Sequence, residues 1–176
     1  KSSAICESNN KKINHFLEHN GLFYIACDFG IVQFNLATLQ FGDTYFIGPN
    51  GEEIKVYQTT IYNGEIYAAT VFNGIRKAAI TNPNLNDFAQ WVVFDGGFWN
   101  GLVTFNNQLI GANLDGNVYK YNGSYFEPIG ALGQIAEEIR SYDGHLTVTG
   151  TNRILIFNQT LNQVANIQSS QVTAAP

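Results

Sequence analysis

A tight turn recurs along this chain at nearly constant spacing, and that recurrence limits its fold more than any other feature. Asn20-Gly21, Asn63-Gly64, Asn106-Asn107 and Asp143-Gly144 follow one another in steps of 43, 43 and 37 residues, each between two apolar runs. A type I′ hairpin turn holds both central residues at positive φ, which Asn, Asp and Gly tolerate best, so each dipeptide marks an antiparallel hairpin. The flanking positions repeat too. A ring precedes each turn (His19, Tyr62, Phe105, Tyr142). Three residues after the first turn residue comes a large apolar side chain: Phe23, Ile66, Leu109, Leu146. Three further on comes a small one: Ala26, Ala69, Ala112, Thr149. A second turn follows at Phe29-Gly30, Asn73-Gly74, Asp115-Gly116 and Asn152-Arg153. The strand after it opens with Ile31, Ile75, Val118 or Ile154 and carries Phe34, Ala78, Tyr121 or Phe157 three residues later. A fourth strand is predicted to close each unit, over 43–48, 90–94, 125–129 and 163–167.

Four-stranded units at this period are the blades of a β-propeller, so the chain reads as all-β with about four antiparallel blades. The blades are expected over 11–50, 51–97, 98–133 and 134–169. Residues 1–10 hold Ile5-Cys6, a candidate last strand of a preceding blade, and 170–176 form a polar tail. A ring needs closure, and no clear closing strand follows the fourth unit, so the expected object is part of a larger propeller. The stretch Leu22–Cys27 is apolar on both faces, as it must be in a sheet covered on both sides. Gly or Asn interrupts every candidate helical period.

Composition narrows the function. Only 13% of residues are charged and the net charge is −5, so the basic stripe of a duplex nucleic-acid binder is absent. Lys11-Lys12 and Arg76-Lys77 are too small to supply one. No run of 18 apolar residues exists to span a membrane as a helix. The chain begins at Lys1 and contains no Met, so cellular address is not legible from its first residues. Cys6 and Cys27 read as separate buried small residues, with a disulfide between them as the other reading.

Few side chains are spaced for chemistry. His15 and His19 share a strand face, but His19 fills the ring column before the turn and no third ligand is spaced to join them. Asn82, Asn84, Asn86 and Asp87 alternate as Ca²⁺ ligands can, yet the loop lacks the Gly and distant Glu of a complete site. Glu137 and Glu138 are adjacent, which on a strand sends them to opposite faces. His145 follows a turn and is expected at the surface. No nucleophile elbow, zinc-protease motif or phosphate loop is present. The expectation is therefore no catalytic residue, no cofactor and no metal. The sequons at Asn122 and Asn158 are explained as turns. The least ordinary segment is Asp95-Gly-Gly-Phe-Trp-Asn-Gly101. Its Phe98, Trp99 and Asp95 are the candidate contact for a partner or glycan, against the reading that Trp99 and Trp91 wedge between blades.

Several stretches carry a family resemblance. Tyr24-Ile-Ala-Cys-Asp-Phe-Gly-Ile-Val-Gln-Phe-Asn-Leu36 resembles the blades of bacterial two-component-regulator propellers. Gly42-Asp-Thr-Tyr-Phe-Ile-Gly48 with Asn50-Gly51 is similar to the N-terminal propeller of the PorZ-type family of the Bacteroidota type IX (Por) secretion system. So are Ile66-Tyr-Ala-Ala69 and Asn82-Pro-Asn-Leu85 with Trp91. The resemblance implies a surface protein with two propellers and a C-terminal β-sandwich, outside the outer membrane, in the complex that attaches cargo to anionic lipopolysaccharide. It implies protein partners, with lipopolysaccharide or glycan contact, and supplies no catalytic motif. A ligand-sensing propeller of a hybrid two-component regulator binding glycan fragments is the first alternative. A carbohydrate-active enzyme on a propeller is the second.

Overall fold

The computed structural model describes residues 12–169. It contains four four-stranded antiparallel sheets, each a simple up-and-down meander. The first blade runs β1 (Ile13–His19), β2 (Leu22–Cys27), β3 (Gly30–Asn35) and β4 (Gln40–Tyr45). The second runs β5 (Gln58–Tyr62), β6 (Glu65–Thr70), β7 (Gly74–Ala79) and β8 (Val92–Asp95). The third runs β9 (Trp99–Phe105), β10 (Gln108–Asn113), β11 (Asn117–Tyr121) and β12 (Phe126–Ala131). The fourth runs β13 (Glu138–Tyr142), β14 (His145–Thr149), β15 (Arg153–Phe157) and β16 (Gln163–Gln168). The blades stand around a common axis lined by their first strands β1, β5, β9 and β13.

The recurring turns do what their residues allow. Asn20, Asn63, Asn106, Asn107 and Asp143 all take positive φ, joining the first two strands of each blade. The expected fourth strands are found, with one offset. β4 begins at Gln40, earlier than expected, because the Asn35 Oδ1 accepts from the backbone N–H of Ala37 and Thr38 and tightens that turn. The Ile5-Cys6 strand and the Cys6–Cys27 question fall outside the described residues.

The repeat columns turn out to be seam columns. Ala26 lies in the apolar cluster between the first two blades, with Tyr24, Ile31 and Tyr45 facing Val56, Ile66, Ala78 and Trp91. Ala69 lies in the next seam with Tyr67, Ile75, Trp99, Leu102 and Leu109. Ala112 lies in the third with Phe105, Val118, Ile139, Leu146, Leu155 and Phe157. The small column thus faces the following blade, and the large column (Ile66, Leu109, Leu146) faces the preceding one. Both tryptophans sit in seams, as wedges between blades. Asn14 and Asn100, each six residues before a turn, staple across them: their Nδ2 atoms donate to the carbonyls of Val56 and Ala136 at 2.8 and 2.6 Å.

The outer face of the first blade differs from these seams. Among the described residues, Ile25, Cys27 and Phe29, with Phe23, Val32 and Phe34, form a cluster drawn from that blade. Phe16 and Phe41 extend it and remain 54% and 56% exposed.

Candidate functional site

The axis carries the structure's polar convergence. In the inner strands, backbone groups on the axial edge have no fifth strand to pair with, so side chains must satisfy them. Gln58 on β5 does this for several strands at once. Its Nε2 donates to the carbonyl of Ile139 on β13 at 2.9 Å and lies 3.5 Å from the His15 Nε2 on β1. Its Oε1 accepts from the backbone N–H of Leu102 on β9 at 3.3 Å. One buried amide therefore reaches all three other blades. Gly101 beside it lets β9 approach β13, since a Cβ there would press on the Ile139 side chain at 2.7 Å.

The hydroxyl two residues on repeats the pattern. Thr60 Oγ1 accepts from the Thr104 backbone N–H at 2.9 Å, and Thr104 Oγ1 donates to the carbonyl of Ile61 at 2.7 Å. Beside this knot lies a well of about 310 Å³. Gln58 and His15 form one end of it. Its walls are Phe16, Leu17, Thr59, Thr60, Ile61, Leu102, Val103, Thr104 and Ser141, and Glu18 and His19 stand toward the turn end. Two wall atoms, His15 Nδ1 and Thr59 Oγ1, are buried and make no hydrogen bond among the described residues.

Burial of the His15 ring, helped by the nearby Arg140 guanidinium, holds its pKa down at about 4. The imidazole is therefore neutral in the folded protein and can accept from the Gln58 amide. The unfolded chain, with the ordinary value of 6.5, takes up the proton first. Stability is thus complete above about pH 6.5 and is lost as pH falls toward 4, by up to about 3 kcal/mol. We expect stability measured by denaturant to drop more steeply over that window in the wild type than in His15→Gln. Parallel curves would dismiss the buried-imidazole account.

The expected contact segment is assembled differently. Asp95 Oδ1 accepts from the Trp99 indole N–H at 2.6 Å and from the Gly97 backbone N–H at 2.8 Å. Trp99 is buried, its ring 4.3 Å from that of Phe126 and so close to Gly111 that a Cβ there would collide with it. Of the three expected contact residues, Phe98 alone faces solvent, at 55% exposure. It sits at the end of the propeller that also carries Phe72, 85% exposed in the β6–β7 turn, and Ile135 in the β12–β13 loop.

Other candidates resolve as structural. His145 is exposed, and its Nδ1 lies 3.0 Å from the Asp143 carbonyl. Asn82 accepts from the Asn84 N–H and donates to Gln90, while Asp87 accepts from the Ala89 N–H and caps a short 3-10 turn. Asn122 and Asn158 each accept backbone N–H groups within their own turns. Among the described residues, no three His, Cys, Asp or Glu side chains converge as a metal site would require. Gln58 was not singled out by sequence reasoning. Its signal was faint: the position five before each turn reads His15, Gln58, Gly101 and Glu138, polar or small where an apolar residue would be ordinary.

Residues 3–92, half of the chain, match the family described as TSS9, PorZ, N-terminal beta-propeller domain. Among solved structures, PorZ of the type-IX secretion system of Porphyromonas gingivalis superposes with a TM-score of 0.72 at 19% identity, over 90% of this chain and 21% of that chain. The extracellular domain of the two-component-system protein BT4673 from B. thetaiotaomicron superposes at 0.65 with 12% identity, over 92% and 22%. The computationally designed Ika4 protein gives 0.61 at 9% identity, over 86% and 94%. At these identities the structural likenesses show the fold. The chain spans about a fifth of the length of the PorZ and BT4673 chains. No curated protein matches.

Proposed function

The chain belongs to the PorZ N-terminal β-propeller family, and on that premise we propose that it serves as a non-catalytic scaffold of a cell-surface complex for protein secretion and attachment. The observation that supports this best is the axis. Its convergent polar groups, Gln58, Thr60 and Thr104, are spent on one another and on the inner strands' backbone. The one buried imidazole there is neutral and held by an amide, without a carboxylate to orient it as a general base. The blades instead present loops, and Phe98 with Phe72 gives one end the exposed aromatics that anchor protein partners. No described helix is long and apolar enough to cross a membrane. The scaffold acts outside the cytoplasm, at the outer-membrane surface, with lipopolysaccharide or glycan near its partners.

The test is cross-linking and co-purification of the intact protein from its source bacterium, with and without Phe98→Ser. We expect it to purify with other components of the secretion machinery and the variant to lose them while staying folded. A protein that sediments alone, in cells whose cargo secretion survives its deletion, would end this reading. A second reading, extracytoplasmic sensing of a small ligand, is favoured by the axial well. Saturable binding of a glycan fragment that Thr59→Val abolishes, without change in partner capture, would select it.

A further inference from the structure

Asn-Gly pairs can rearrange. The glycine amide nitrogen attacks the asparagine side-chain carbonyl, ammonia leaves, and water opens the resulting imide to aspartate or isoaspartate. The reaction needs a base for the amide proton, an acid for the departing nitrogen, and an unhindered glycine. We propose that Asn20 is such a self-modification site in this protein, promoted by its own neighbours Glu18 and His19.

The geometry supplies each part. The Gly21 backbone N–H donates to the Glu18 carboxylate Oε1 at 2.9 Å. The Asn20 Nδ2 lies 2.9 Å from the His19 Nε2. Both turn residues are exposed, and no heavy atom lies within 4 Å of where a Cβ on Gly21 would stand, so the five-membered ring can form without displacing anything. As the bond from the Gly21 nitrogen to the Asn20 Cγ forms, the amide proton passes to Glu18. The tetrahedral carbon's nitrogen is no longer conjugated and takes the proton now on the Glu18 carboxyl, while the His19 Nε2 accepts one of its N–H groups and orients it. The Cγ–Nδ2 bond then breaks and ammonia departs. Water hydrolyses the imide at either carbonyl, so the balance is amide plus water to acid plus ammonia, with no change of oxidation state.

The repeat provides an internal control. Asn63-Gly64 forms the same turn with nearly the same backbone, φ 48° and 76° against 52° and 77°, and an equally open glycine. There the two preceding residues are Ile61 and Tyr62, and the next carboxylate, Glu65, is bonded to Tyr67 and Lys77. Of the other Asn-Gly pairs, Asn50-Gly51 and Asn73-Gly74 have crowded glycines, against the Phe88 ring and the Asp95 carbonyl, and the rest are tied up. Asn122 accepts from the N–H of Ser124 and Tyr125, and Asn100 is stapled to Ala136 beside the buried Gly101. Conversion at Asn20 would place a second carboxylate beside Glu18 at the turn end of the axial well. Isoaspartate would also add a methylene to the turn that sets the β1–β2 register.

The purified chain is held warm at neutral pH, and conversion at Asn20 and Asn63 is followed in the same molecules by peptide mass mapping. Positioned acids and bases contribute about 10² to 10⁴ in enclosed sites, and at an exposed turn we expect Asn20 to convert about tenfold faster than Asn63. Glu18→Gln should bring Asn20 down to the Asn63 rate, and His19→Phe should slow it in part. In denaturant the two rates should approach each other. Equal rates in the folded protein, an unchanged rate in Glu18→Gln, or an excess that persists in denaturant would each overturn the assignment.

Discussion

Gln58→Ala is expected to lower the unfolding free energy by about 3 kcal/mol or more, seen as a fall in the denaturant midpoint. The side chain is 6% exposed and its amide is used at both ends. Removing it leaves the Ile139 carbonyl and the Leu102 N–H buried without partners, and each orphaned group costs about 1–3 kcal/mol. The His15 ring loses its amide contact as well. A cavity term adds to this because Gly101 cannot fill the space. Gln58→Glu keeps the shape but removes both donors and buries a charge, so it should be at least as severe. Gln58→Leu keeps the volume and isolates the polar part. A loss under about 1 kcal/mol in all three variants would mean that the blades do not depend on an axial knot.

Trp99→Ala should cost about 3–5 kcal/mol, the range for emptying a buried aromatic site, whereas Phe98→Ala should stay within about 0.5 kcal/mol of wild type. The two residues are neighbours in sequence and opposites in environment. Trp99 fills the seam between the second and third blades, held by Phe126, Tyr119 and the Asp95 carboxylate. Phe98 touches solvent. Thermal unfolding of the two variants gives the comparison. If Phe98→Ala were as damaging as Trp99→Ala, the proposed contact surface would be part of the fold rather than free for a partner. If Trp99→Ala were mild, the wedge would carry little of the seam.

Most of the architecture was legible because propeller blades are local objects. Each strand pairs with its sequence neighbours through a short turn, so the turn residues announce the ladders directly. The small and large columns were legible as repeats. Their meaning was not, because a strand shows two faces and the sequence does not say which neighbouring sheet each face meets. The start of β4 was misplaced because Asn35 ends its turn sooner than the spacing of Gly42 and Asp43 suggested. The segment from Asp95 to Gly101 drew attention for its composition. Whether Trp99 or Phe98 pointed outward depended on the seam and on Gly111, twelve residues beyond Trp99 in the chain.

The sequence by itself determined the all-β class, the four-strand unit, the number of units and the turns that join them. These follow from residue periodicity and from the φ preferences of Asn and Gly, which act over a few residues. Only the tertiary structure decided the roles of Gln58, Thr60 and Thr104. Their partners lie in other blades, 44 residues away for the Thr60–Thr104 pair and 81 for Gln58 to Ile139. Such pairings exist only once the blades have been set around an axis, where unpaired strand edges must find their hydrogen bonds in side chains.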